Sequence, residues 1–162
     1  MIFSFRSTKS PGIGKTAPDF VLLDQHKHQH QLSNYRGKWL ILYFYPKDDT
    51  PGCTKEACLF RDDISELHKL GAEVIGISTD DLVSHAKFAD KYQLPFSLLS
   101  DTGGHIAKKY DAVWKIGPLS IAKVHSLIIS PESKIAKIYR KVNPKTHSNT
   151  VINDLIALQK VN

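Results

Sequence analysis

The stretch Trp39-Leu40-Ile41-Leu42-Tyr43-Phe44-Tyr45-Pro46-Lys47-Asp48-Asp49-Thr50-Pro51-Gly52-Cys53 carries the clearest structural signal in the chain. From Trp39 to Tyr45 every residue is apolar or aromatic, and Pro46, which has no amide hydrogen to give a sheet, ends the run. Such a run suits a strand buried on both faces of a sheet. Thr50 followed by Pro51 has the form of a helix N-cap with proline at the first helical position. The expected helix runs from about Pro51 to Leu70, with Gly71 as its stop.

Toward the N-terminus, Asp19 to Leu23 reads as a first strand and Gln29 to Leu32 as its hairpin partner. Ser33 to Gly37 reads as a short helical turn closed by glycine. Toward the C-terminus come a strand at Val74–Ile77, a helix at Asp81–Tyr92, a strand at Phe96–Leu99 and a short helix at His105–Tyr110, after a Gly103-Gly104 turn. Two strands, Val124–Ile129 and Lys134–Val142, flank Ser130-Pro131-Glu132-Ser133, where proline is placed for a β-turn. A last helix runs from about His147 to Lys160. Strands alternating with helices, then a hairpin and a helix, predict an α/β domain. Its mixed central sheet is flanked by helices and carries an N-terminal hairpin, an order that fits the thioredoxin-like fold. The domain is expected over residues 15–162, with residues 1–14 as a flexible leader.

Composition narrows the function classes. The 162 residues are 41% hydrophobic and 23% charged, as in ordinary globular proteins. No apolar run approaches the ~20 residues of a membrane helix, so neither a membrane partner nor a location other than the cytoplasm is expected. The net charge is +6, yet lysine and arginine are scattered. Lys108-Lys109 and Arg140-Lys141 are the only adjacent basic pairs, so no nucleic-acid tract is expected. The two cysteines, Cys53 and Cys58, are too close in sequence for a disulfide to stabilise much, which points to chemistry.

That chemistry starts with the helix. Cys53 falls in its first turn, where backbone N–H groups lack intrahelical partners and the dipole is positive. Both favour a thiolate. The same N–H groups and the Thr50 hydroxyl are suited to hold a peroxide, and Pro46 to wall the site from water. Cys53, Ala57, Phe60, Ile64 and Leu67 form a core-facing stripe. Cys58 lies about 140° further around and ~7.5 Å along the axis, close to or beyond the ~7 Å limit for a disulfide. The two thiols can meet only if the helix unwinds. The alternative reading is that both are small buried hydrophobes.

Tyr43-Phe44-Tyr45-Pro46-Lys47, Thr50-Pro51-Gly52-Cys53-Thr54, Glu56-Ala57-Cys58 and Phe60-Arg61-Asp62 together resemble the peroxiredoxin active-site segment. More narrowly they are similar to the bacterioferritin comigratory protein, or peroxiredoxin Q, subfamily. Ala17-Pro18-Asp19-Phe20, Gly76-Ile77-Ser78-Thr79-Asp80, Leu98-Leu99-Ser100-Asp101 and Lys134-Ile135-Ala136-Lys137 extend the resemblance along most of the chain. It implies that Cys53 is oxidised to sulfenic acid by hydrogen peroxide or an organic hydroperoxide. It further implies that Cys58 resolves this as an intramolecular disulfide and that a thioredoxin-type donor restores both thiols. A second chain's thiol or a small thiol remains an alternative to Cys58. Pro46 and Thr50 match the family's other active-site positions. The resemblance implies no metal or organic cofactor, and it leans toward a monomer.

One position departs from the pattern. The family carries an arginine two residues before the Ser or Thr of the late strand, and here Val124 stands there, before Ser126. Strand alternation aims Lys123 and His125 away from the Val124 face. The site is therefore expected to lack its fixed cation unless Arg140 supplies one, and Glu56, which orients that arginine in the family, to lose its partner. A redox-sensing or holdase-like binding protein with weak turnover is the alternative this keeps open. A thioredoxin-type exchanger is disfavoured by the spacing of the cysteines. His26, His28 and His30 alternate, as first-row metal ligands on one strand face would. Lys27 and the flanking glutamines fit a polar hairpin tip instead, and no metal site is assigned. Trp114 is expected to pack on the core from a loop.

Overall fold

The computed structural model describes residues 11–161. Its strands are β1 (Val21–Asp24), β2 (Gln29–Gln31), β3 (Trp39–Phe44), β4 (Ala72–Ser78), β5 (Ser97–Ser100), β6 (Val113–Ile116), β7 (Leu119–Ala122), β8 (His125–Ile129) and β9 (Ile135–Tyr139). The helices are α1 (Pro51–Asp62), α2 (Ile64–Lys69), α3 (Leu82–Tyr92), α4 (His105–Lys109) and α5 (His147–Lys160), with a 3₁₀ turn at Leu32–Tyr35. One mixed sheet runs β2-β1-β5-β4-β3-β8-β9. Strands β3, β4 and β5 are parallel, and the outer pairings are antiparallel.

The apolar run of β3 is central because it has two faces to bury. Ile41, Tyr43 and Tyr45 enter a core built with α1, α3 and α5. Leu40, Leu42 and Phe44 enter a second core with α4 and the N-terminal segment. Tyr43 lies opposite Gly76 in the register. A Cβ on Gly76 would stand 2.8 Å from the phenol ring of Tyr43, so the bare glycine gives that ring its place. Asp81 caps α3 by accepting from the Ser84 N–H at 2.8 Å, and Gln93 ends it in the left-handed region at φ 54°. At the β8–β9 turn the Ser133 N–H donates to the Ser130 carbonyl, with Ser133 at φ 62°.

Two elements differ from expectation. The helix from Pro51 breaks at Asp63, whose backbone takes φ −96° and ψ 5°, while its carboxylate accepts the Ser148 hydroxyl of α5 at 2.7 Å. Local periodicity carries no sign of that tertiary tether. The segment after Tyr110 forms a separate hairpin, β6–β7, instead of a loop. Its strands are short and interrupted by Gly117-Pro118, so no alternation of useful length marks them. Trp114 is 59% exposed on β6 with the Lys123 ammonium 4.9 Å from its ring centre, and does not pack on the core. Residues 1–10 of the expected leader lie outside the described residues. Gly14 is tied to β9 through its N–H and the Ile135 carbonyl.

Candidate active site

The loop between β3 and α1 is built from a sequence of anchors. Tyr45 continues the line of β3, donating its N–H to the Ile77 carbonyl, and the half-buried Pro46 then turns the chain away. Asp48 drops into the protein: its carboxylate accepts the Tyr45 hydroxyl at 2.6 Å, the Ser84 hydroxyl at 2.8 Å and His85 Nδ1 at 2.7 Å. The Asp48 N–H donates to Asp80, which also accepts from Ser78. Asp49, at φ 58°, accepts from Lys91 and Tyr92 at the far end of α3. A left-handed aspartate is tolerated because the contacts on both sides over-determine it. His85 Nε2 donates to the Leu99 carbonyl at 3.0 Å.

The loop delivers Thr50 to the N-cap and Pro51 to the first helical position. Cys53, 6% exposed, occupies the first turn, as its spacing predicts. The Thr50 hydroxyl donates to the Lys47 carbonyl at 2.9 Å and makes no cap bond. Against the expectation from its helical position, burial pushes the Cys53 thiol above its ordinary value. The Thr50 hydroxyl and the Lys47 N–H pull it down, and Glu56 and Asp48, when charged, push it up again. Gly52 faces Pro144, whose ring would lie 3.8 Å from an added Cβ, so the segment leading to α5 passes beside the exposed start of α1. Cys58 is half-buried on the same helix, and both thiols are free. One turn beyond Cys58, Arg61 reaches across to the Tyr92 carbonyl at 2.7 Å.

Glu56 is 2% exposed, and its Oε1 has no hydrogen-bond partner among the described residues. Burial alone raises its carboxyl to about 8. Ser126 lies opposite Tyr43 in the β3–β8 register, and Val124 stands half-buried in a bend just before β8. His125 lies opposite Phe44, on the other face. Burial first, then Arg140, pushes its imidazole down to about 4. Arg140 is exposed, 3.6 Å from Asp111, and supplies no cation to Glu56. Ser126 bonds instead to His147 Nε2 at 2.9 Å, whose ring packs edge-on against Phe60 and Tyr139.

Cys53, Thr50 and Pro46 are thus gathered at one loop–helix junction, with Cys58 further along the helix. Sequence reading missed Asp48, His85 and His147. His85 sits among Phe88 and Ala89 on the buried stripe of α3, and a histidine at an apolar position was the available signal. Asp48, Asp80 and His85 each bring a ligand atom within 4.8 Å of one another, but hydrogen bonds account for the cluster and no metal is assigned there. His30 is held by Asp24 and Tyr35, each at 2.6 Å, and His28 Nδ1 stands 4.0 Å from the same Asp24 oxygen, but among the described residues His26, His28 and His30 form no ligand cluster.

The family model described as AhpC/TSA family matches residues 13–138. Peroxiredoxin Bcp of Bacillus subtilis is 43% identical over 141 residues, 83% of this chain and 88% of that protein. The chloroplastic peroxiredoxin Q of Triticum aestivum is 55% identical over 97 residues, 60% of this chain and 45% of that protein. The match thus spans about half the length of the plant relative. A structure of the Xanthomonas campestris bacterioferritin comigratory protein, described through its alkyl peroxide reduction activity, superposes with a TM-score of 0.78. It is 31% identical, covering 85% of this chain and 90% of that one. With a thioredoxin-like sheet, a cysteine in the first turn of α1 and these likenesses together, the chain belongs to the AhpC/TSA family, among its peroxiredoxin Q and Bcp members.

Proposed function

We propose that this chain is a thiol-dependent peroxidase that reduces hydrogen peroxide and organic hydroperoxides. The observation that carries the reading is Cys53 in the first turn of α1, where burial holds the thiol above its ordinary value and the Thr50 hydroxyl and the Lys47 N–H offset part of that rise. The thiolate attacks the peroxide oxygen, and unpaired N–H groups of the first turn stabilise the charge that develops. Cys58 then displaces water from the sulfenic acid, after α1 has unwound enough to bring the sulfurs together. A thioredoxin-type dithiol reopens the disulfide by exchange. The alkyl peroxide activity named for the Xanthomonas campestris protein supports the substrate class. Action as a monomer in the cytoplasm belongs to the same proposal. No helix among the described residues is long and apolar enough to cross a membrane.

A second reading, a redox sensor or holdase with weak turnover, draws on the uncompensated Glu56 and on Val124 at the arginine position. Single-turnover oxidation by hydrogen peroxide, followed by mass analysis of both cysteines and turnover with a thioredoxin system, separates the two. Rapid formation of a Cys53–Cys58 disulfide with sustained turnover supports the peroxidase. Oxidation without turnover makes the sensor the better reading.

A further inference from the structure

Glu56 and the Tyr43 hydroxyl are buried beside the first turns of α1. Glu56 Oε1 and Tyr43 Oη are the buried side-chain polar atoms without a hydrogen-bond partner among the described residues. Glu56 lies three residues after Cys53 on the same helix, the spacing of neighbours on a helical surface. Its charge reaches Tyr43 from β3 and Cys53 on α1, and Cys58 on α1 and Asp48 from the loop act on the same Tyr43. On α5, packed against α1, His147 is held neutral at pH 7 by burial. None of these is a cation, and Arg61 on α1 is turned toward Tyr92. An ionised carboxylate so placed would be buried and unpaired, which is far more costly than a neutral acid.

Building on the peroxidase reading, we propose that Glu56 is a catalytic acid: it stays protonated in the reduced enzyme and gives its proton to the oxygen that leaves the hydroperoxide. The Cys53 sulfur attacks the terminal, protonated oxygen of ROOH. The S–O bond forms, the O–O bond breaks, and its electron pair goes to the departing oxygen. Glu56 supplies the proton, so the products are Cys53 sulfenic acid, ROH and the Glu56 carboxylate. The sulfur loses two electrons and the peroxide gains them. Glu56 regains a proton from solvent, matching the one Cys53 released on ionising, so the sum is thiol plus ROOH to sulfenic acid plus ROH. This role fits a site in which Val124 stands where the family has arginine, because a neutral carboxyl supplies the donor that the guanidinium does not. It also leaves the Cys53 thiolate without a second negative charge beside it.

The test compares wild type with Glu56→Gln, using three oxidants that differ in leaving group. Alkoxide and hydroxide leaving groups, from tert-butyl hydroperoxide and hydrogen peroxide, need a proton; acetate, from peracetic acid, does not. Glu56→Gln is expected to slow Cys53 oxidation by hydrogen peroxide and tert-butyl hydroperoxide about 100-fold. Oxidation by peracetic acid, referred to its neutral form, should stay within a few-fold. With hydrogen peroxide the wild-type rate should level near pH 8 and fall at higher pH as Glu56 ionises, whereas the variant climbs to a plateau. An equal loss with all three oxidants, or no loss, overturns the role of Glu56. Carbon-13 NMR of the wild-type carboxyl groups guards against a misfolded variant, since the absence of a protonated glutamate at pH 7 also overturns it. If wild type is oxidised at Cys53 by none of the three, the peroxidase reading itself fails.

Discussion

His85 Nδ1 stands 2.7 Å from Asp48 Oδ2, with the two side chains 0% and 4% exposed, beneath the loop that leads into α1. With Nε2 facing the Leu99 carbonyl at 3.0 Å, the ring ties the loop to α3 and to β5. Removing one partner of a buried pair costs about 3–5 kcal/mol. His85→Ala is expected to lose that much stability in urea titration and to oxidise more slowly at Cys53, since Lys47 and Thr50 ride on the same loop. A variant as stable as wild type would show that Asp48 needs no partner.

Oxidation is expected to unwind α1. The ~7.5 Å axial separation of five helical residues keeps Cys53 and Cys58 from forming a bridge within the intact helix. Far-UV ellipticity should fall when the protein is oxidised, and amide exchange should quicken across residues 51–62. Cys58→Ser should show neither change and should retain Cys53 sulfenic acid.

Thr50 offers one hydroxyl to two acceptors, the Lys47 carbonyl and the Cys53 sulfur. Thr50→Val is expected to lower the rate of Cys53 oxidation by roughly 10²-fold, the effect of losing one transition-state donor. Thr50→Ser should stay within a few-fold. Stopped-flow oxidation of both variants checks this, and equal rates would free Thr50 from the chemistry.

Stability should fall on the alkaline side because of Glu56. Its folded carboxyl titrates at about 8, against an ordinary value of 4.5. Between those values the folded state holds a proton that the unfolded chain has lost, so stability falls as pH rises from 4.5 to 8 and then levels. The accumulated penalty is on the order of 4–5 kcal/mol. His125 and His147 act oppositely. Burial lowers each to about 4, so the unfolded chain binds protons first and stability falls as pH drops from 6.5 to 4. Together these groups predict a maximum near pH 6.5. Urea melts from pH 5 to 9 should show it, and Glu56→Gln should flatten the alkaline side.

Gly76→Ala is expected to destabilise the fold by about 1–3 kcal/mol. The new methyl would meet Tyr43 at 2.8 Å and Leu98 at 3.0 Å, and both are buried in the core that holds Cys53. Thermal melting checks the loss. An unchanged midpoint would mean that the Tyr43 ring has room to move.

The cap at Thr50-Pro51, the buried run of β3 and the bounds of α5 were legible in the sequence, because each depends on neighbours along the chain. So was the placement of Cys53 in the first helical turn, since a cap fixes helical positions by counting. The break at Asp63 was not, because a hydroxyl from α5 holds it, and neither was the β6–β7 hairpin, whose strands are too short for periodicity to show. The Asp48–His85 pair joins residues 37 apart, and only packing α3 under the loop brings them to hydrogen-bonding distance. The pattern of motifs left Glu56 without a cation. Tertiary structure decided the consequence, because an unpaired carboxyl is a harmless acid in water and a buried proton reservoir only once the core has closed around it.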